Sequence, residues 1–200
     1  FANGLRSLLR QNPDIIMVGE IRDNETVEIA VHSALTGHLV LSSLHTNDAP
    51  SALPRLLDMG APSFLLASTV NMVIAQRLVR RICASCIESY PMSPEIKRLI
   101  MAQLALNPEI KIKEKVLAKI LFKGKGCKIC GGSGFRGQVG VFEALKVSDA
   151  IREILLKEAP VGEIKKQAIK EGMQTMFEDG LQKVEKGITT IEEVLRVIRE

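Results

Sequence analysis

Two cysteine pairs, "CASC" at 83–86 and "CKIC" at 127–130, stand 40 residues apart, and they constrain this chain more than any other feature. Two residues between thiols let one tight turn aim both sulfurs at one tetrahedral ion, and two such turns complete a four-thiolate site. The spacing therefore predicts that Cys83, Cys86, Cys127 and Cys130 close on one zinc ion, so the intervening loop must return on itself. A structural site of this kind supplies on the order of 10 kcal/mol to folding. Its four ligand positions are all filled, which leaves no open position for catalysis. Four ordinary buried thiols are the plainer reading, and the paired spacing disfavours it. Disulfides suit an oxidising compartment, whereas the opening "FANGLRSLLRQ" has no signal-peptide pattern and no methionine; it reads as the start of a fragment cut from a longer protein.

A second constraint is "DIIMVGEIRD" (14–23), an apolar run that stops at charge. Ile15, Ile16, Met17 and Val18 read as a strand buried on both faces, as in a parallel sheet. Glu20 then stands at the carboxyl end of that strand, where open α/β sheets bind ligands. Asp23 or Asn24 is placed to cap a helix ending at Gly37. "HLVLSSLHTN" (38–47) predicts a second buried strand. Helices are expected near 3–11, 50–58 and 63–75, and a further strand at 77–83. Strand, helix, strand in this order reads as a parallel sheet with crossover helices.

Beyond Cys83 the character changes. A helix is expected from Ser93 to about Phe122. Seven of the 15 glycines lie in 124–140, so tight loops are expected there, with a strand at 138–145. Four helices then follow, near 149–158, 160–171, 175–186 and 190–199, the last opened by a Thr190–Glu193 capping box. The expected organisation is an α/β region at 1–82, a tetracysteine module at 83–140 and a helical region at 141–200. With 46% hydrophobic residues and a net charge of +4, a real core is expected. No stretch is long and apolar enough for a membrane-spanning helix. Basic residues flank the cysteines in "RLVRR" and "KGKGCK", yet aromatic residues are only 4% of the chain. Base stacking therefore has few platforms, which argues against a nucleic-acid partner.

An acidic residue at a strand end is what a nucleotide hydrolase needs to hold magnesium and a water beside a γ-phosphate. His38 and His45 bracket the second strand, so His45 can emerge at the same end as Glu20, followed by the polar loop "TNDAPS". At these residues the chain resembles the type II secretion and type IV pilus assembly ATPases. The resemblance runs along the whole chain. In it the strand with glycine and glutamate is the Walker B box, "TGHLVLSSLHTNDA" is the histidine box, and "AQRLVRRIC" leads into a four-cysteine zinc module closed by "GCKICGGSGFRGQVGVFEAL". "CKICGGSG" also resembles the CxxCxGxG element of the DnaJ co-chaperones. Those carry it four times, here it occurs once, and that reading fails on count.

The family resemblance implies a partial RecA-like P-loop NTPase core with the zinc module and a C-terminal helical region. It implies ATP and Mg2+ as cofactors, Glu20 at the magnesium and γ-phosphate, and His45 (with His38 as second candidate) sensing that phosphate. Thr46 and Asn47 follow in the same loop, and Arg22 and Asp23 lie near the nucleotide or a subunit boundary. It further implies a cytoplasmic homo-hexamer, peripheral at the inner membrane, that drives a platform protein in pilus assembly or type II secretion. The zinc module favours that branch over the retraction ATPases. The chain departs from the family in lacking a GxxxxGK[ST] loop, so it is expected to hold half of an ATP site and to hydrolyse essentially no ATP alone. The competing expectation is a non-catalytic, zinc-stabilised module that binds secretion or pilus machinery.

Overall fold

The computed structural model describes residues 4, 7, 10–105 and 120–198. The helix expected near 3–11 lies for the most part outside the described residues. The contacts divide the chain into two compact units. One holds the described residues up to Val73 together with Leu145–Glu171; the other holds Ile74–Ala144 and the residues from Gly172 on. The helical region after 141 thus contributes to both.

In the first unit, strand β1 (Ile15–Val18) runs parallel to β2 (Leu39–Ser42), with Ile15 opposite Leu39 and Val18 opposite Ser42. Helix α1 (Asn24–Leu35) connects them. It starts where the Asp23 carboxylate accepts the Thr26 N–H at 2.8 Å, and it stops before Gly37, whose φ of 98° suits a residue without a side chain. Val27, Ile29, Ala30 and Val31 bury one face of α1, and Ile29 packs on Ile16 and Val18 of β1. The expectation that β1 is buried on both faces is not met: Ile15 and Met17 are 59% and 66% exposed, and Leu39 and Leu41 of β2 are 52% and 48% exposed. The strands alternate because, among the described residues, only one face of this two-stranded sheet is covered. Helices α2 (Ala52–Asp58) and α3 (Ser63–Thr69) follow. The unit is completed by α5 (Asp149–Leu156), which packs on α3 and is capped by Ser148, and by α6 (Val161–Lys170).

The helix expected at 63–75 ends at Thr69. Val70 is already extended, and strand β3 (Met72–Ile82) begins two residues later and takes in the strand expected at 77–83. Its partner is β6 (Phe135–Lys146), more than fifty positions away in sequence. The ladder this pairing offers outweighs local helical periodicity at 70–75.

The second unit adds an antiparallel pair, β4 (Ile87–Pro91) with β5 (Ile120–Gly124), in which Ile87 faces Gly124 and Pro91 faces Ile120. Helix α4 (Pro94–Ala105) lies between them in sequence. The helix expected to reach Phe122 is corrected at its far end: residues 106–119 lie outside the described residues, and Ile120–Phe122 belong to β5. Helices α7 (Met176–Glu185) and α8 (Ile191–Ile198) close a core of Ile100, Leu121, Phe177, Leu181, Val184, Ile191, Val194 and Leu195. A Cβ on Gly180 would stand 2.5 Å from a Val194 methyl, so the glycine permits the close approach of α7 and α8. Among the described residues no helix is long and apolar enough to cross a membrane.

Candidate functional sites

The carboxyl ends of β1 and β2 lie side by side because the strands are parallel and in register. Beyond them the chain is tied across: Ile21 N–H donates to Ser43 O at 3.0 Å, and Ser43 Oγ donates to Gly19 O at 2.6 Å. This pair of bonds aligns the two loops that carry Glu20 and His45. His45 Nε2 lies 2.8 Å from Glu20 Oε2, and the Arg22 guanidinium pairs with the other oxygen, Oε1. Glu20 is partly covered, its side chain 26% exposed, while His45 is 82% exposed. The hydrogen bond from His45, and next that from Arg22, hold the Glu20 carboxyl below the usual carboxylate range. The carboxylate is therefore ionised at neutral pH and able to bind a cation or to orient a water.

The other candidates divide. Asp23 is committed to α1: Thr26 donates to its Oδ1 through both N–H and Oγ, and those bonds lower its pKa. His38 precedes β2, at the sheet end opposite Glu20, roughly 13 Å away along four residues of strand. Its Nδ1 lies 2.9 Å from Ser33 O and 3.0 Å from Thr36 Oγ1, which fastens the end of α1. His38 also borders an apolar cleft of about 330 Å³ lined by α1, β2 and residues 68–72. Thr46 Oγ donates to Asp48 O at 3.1 Å, and Asp48 in turn accepts the Ser51 N–H ahead of α2. Asn47 is exposed in the same loop. Ser43 was missed from sequence; its only trace is the "SS" before Leu44 and His45.

In the second unit the four cysteines converge. All are free thiols, and their sulfurs lie within 4.8 Å of one another. Cys83–Cys127, Cys86–Cys130 and Cys127–Cys130 are separated by 4.0, 3.9 and 3.7 Å. A tetrahedral zinc with bonds of about 2.3 Å requires sulfur separations of about 3.8 Å. The donor set fits zinc in chemistry and in size. Backbone N–H groups point at the sulfurs as well: Cys127 and Gly134 donate to Cys130 Sγ at 3.2 and 3.3 Å. These bonds, that from Cys127 first, bring the Cys130 thiol down to about 6, whereas loss of solvation pushes Cys86 up to about 12. Thiols this crowded ionise one at the expense of the next, and a divalent cation at their centre lets all four become thiolates.

The glycines make the convergence possible. A Cβ on Gly124 would stand 2.1 Å from Gly134 O, and one on Gly126 would stand 2.5 Å from Gly132 O. The loop folds back so tightly that two backbones touch where side chains would otherwise sit. Gly134 O then accepts the Cys83 N–H at 2.9 Å, and Cys86 O accepts the Lys125 N–H at 3.0 Å, which seals one cysteine pair to the other.

A carboxylate outside both centres was also missed from sequence. Glu193 is buried, 3% exposed. It accepts Arg80 N–H at 2.9 Å, Arg80 Nη2 at 2.7 Å and Arg196 Nη2 at 3.0 Å. Burial pushes its pKa up, but these bonds outweigh burial and hold it at about 2. The capping box expected at Thr190 and Glu193 is therefore half formed. Thr190 Oγ accepts the Glu193 N–H at 3.4 Å, while the carboxylate turns to the two arginines.

Comparison with known proteins places these sites in context. A family model described as "Type II/IV secretion system protein" matches residues 1–196. Type II secretion system protein E of Xanthomonas campestris pv. campestris is 47% identical over all of this chain and 34% of its own length. Type IV pilus assembly ATPase PilB of Thermus thermophilus is 46% identical over 98% of this chain and 21% of its own length. The chain thus spans about a third or less of these relatives. Among solved structures, the pilus retraction motor PilT with bound ADP superposes with a TM-score of 0.64 at 25% identity, covering 98% of this chain and 43% of that one. The Legionella pneumophila ATPase DotB shares the fold, with a TM-score of 0.61 at 24% identity over 99% of this chain and 42% of its own.

Proposed function

The chain belongs to the type II/IV secretion system protein family, and from that premise we propose that it is part of a motor ATPase for type IV pilus assembly or type II protein secretion. The observation that carries this reading is the 2.8 Å contact between Glu20 and His45, brought together across adjacent parallel strands from 25 residues apart in sequence. A glutamate kept ionised at such strand ends suits a magnesium-bound nucleotide. Bound Mg2+ would neutralise charge on the β- and γ-phosphates. Glu20 would face that ion and its water, and His45 would report on the γ-phosphate because it shares a hydrogen bond with Glu20. Arg22 holds the second oxygen of Glu20 and so fixes the carboxylate plane. Thr46 and Asn47 continue the loop beside the phosphate, Asp23 secures the helix entry next to Arg22, and His38 braces the far end of β2.

We assign the nucleotide chemistry to 1–82, a structural zinc to Cys83, Cys86, Cys127 and Cys130 within 83–140, and packing functions to 141–200. In the whole protein this becomes a cytoplasmic hexamer, peripheral at the inner membrane, acting on a platform protein. No GxxxxGK[ST] loop occurs in these 200 residues. A second reading, a zinc-stabilised interaction module without catalysis, rests on the convergence of the four cysteines.

Steady-state ATP hydrolysis separates the two. This chain and a longer form extended upstream would each be assayed with and without Glu20→Gln. The motor reading expects turnover only in the extended form and a loss of at least about 100-fold in kcat for Glu20→Gln. An extended form that is inert at concentrations sufficient for assembly supports the interaction module.

A further inference from the structure

Both chain segments that deliver cysteines are fastened at one arginine outside the cysteine cluster. β3 carries Arg80 three residues before Cys83. On the other side, the Gly134 peptide touches both pairs: its N–H donates to Cys130 Sγ at 3.3 Å and its carbonyl accepts Cys83 N–H at 2.9 Å. Phe135 follows directly, and the Arg80 guanidinium lies 4.2 Å from the centroid of its ring, a cation–π distance. The same arginine is held from the rear by the start of α8. Glu193 takes its backbone N–H and its Nη2, Thr189 Oγ donates to Arg80 O at 2.8 Å, and Ile82 N–H donates to Ile188 O at 2.9 Å. Arg80 therefore links a buried carboxylate on a C-terminal helix to the peptide that joins the two cysteine pairs.

We propose that Arg80, anchored by Glu193, is a positioning residue for the four-cysteine centre, so that metal retention depends on a helix that contributes no ligand. The proposal rests on the reading that the cysteines hold a metal. Metal ligands need support from outside the ligand set to keep their geometry within about 0.5 Å, and loss of such support typically costs 10- to 100-fold in affinity. Arg80 is suited to removal as a test because its side chain is half exposed. Glu193 keeps Arg196 and the Arg80 backbone N–H when the guanidinium is gone.

The experiment uses the zinc-loaded chain as wild type, Arg80→Met, Arg80→Lys, Glu193→Gln, the Arg80→Met/Glu193→Gln double variant, and Leu181→Ala. Leu181 lies in the core of the same unit with no hydrogen bond to the arginine. Zinc release into an excess of chromophoric chelator is timed, Co2+-loaded samples give ligand-field and thiolate charge-transfer spectra, and urea unfolding gives global stability. The expected result is zinc release about 10-fold faster in Arg80→Met, with an intermediate rate in Arg80→Lys, which keeps the charge and loses the planar fork. The double variant should release zinc no faster than the faster single variant. Leu181→Ala should lose stability while its release rate stays at the wild-type value, and the Co2+ bands should keep their four-thiolate positions throughout. A wild-type release rate in Arg80→Met overturns the proposal, as does equal acceleration by Leu181→Ala, which would make the effect one of stability alone. A wild-type chain that shows no thiolate charge-transfer with Co2+ overturns the metal reading itself.

Discussion

Glu20 and Glu193 are the same chemical device in two settings. Each carboxylate is gripped by two cationic or potentially cationic side chains, His45 and Arg22 for one, Arg80 and Arg196 for the other. The Glu20 side chain is 26% exposed and its partners lie in water, whereas that of Glu193 is 4% exposed. The difference decides what each does. A buried carboxylate is left desolvated when its cations are removed, at a cost of several kcal/mol. An exposed pair costs little to break, so its members are free to exchange partners with a ligand. The first unit keeps its charged groups accessible at strand ends; the second uses the same groups to lock segments around the cysteines.

That contrast can be broken, most severely at the cysteines. Chelation of the bound metal, or Cys130→Ser, should remove on the order of 10 kcal/mol from the second unit. Hydrogen exchange should then show protection lost in β4, β5 and α7 while α1 keeps its own; loss of protection in α1 as well would mean the units do not fold independently. Next in size is Gly124→Ala, which sets a Cβ against a backbone oxygen and should cost about 3 kcal/mol by urea unfolding. Glu193→Ala should cost less, about 2 kcal/mol, since it takes the acceptor from the Arg80 backbone N–H while the two half-exposed guanidinium groups regain water.

Acid sharpens the comparison further. The folded Glu193 titrates at about 2 against an ordinary value of 4.5, so its contribution is complete above about pH 4.5 and is lost as pH falls toward 2. The stability gap between wild type and Glu193→Gln should therefore close over that window, by roughly 2 kcal/mol. A gap that stays constant from pH 5 to 2 would remove the ion pair as its source. The smallest expected effect on stability is that of Glu20→Gln, which should leave the thermal midpoint unchanged. If it lowers the midpoint as far as Glu193→Gln does, the two carboxylates are not the different devices described above.

How much of this could be read in advance depends on the range of the interactions. The strand at Ile15–Val18, the Asp23 cap, the close of α1 at Gly37 and the four C-terminal helices follow from neighbours within a few positions, and all were legible. The two cysteine pairs were legible too, because each chelating turn is local and only their meeting is not. The helix expected through Ala75 gave way to β3, and the one expected through Phe122 gave way to β5. In both places the strand partner is distant, and local apolar spacing carries no record of it. Glu193 matched a capping box by position and yet bonds Arg80, 113 residues away. Ile15, Met17, Leu39 and Leu41 fit buried strands and lie exposed, since covering a sheet face depends on which segments pack over it.

By itself, the sequence determined the family, the helices after Ser148 and the chelating spacing of the cysteines, because these reside in short-range pattern, whereas β4 and β5 left no such trace. The tertiary structure alone decided which carboxylate is open and which is closed. It also set His38 at the opposite end of the sheet from Glu20, and it made Arg80 the link between a terminal helix and the cysteines. Burial and partner choice are properties of folded neighbours, and residues a hundred positions apart become neighbours only when the backbone hydrogen bonds of the whole unit are satisfied together.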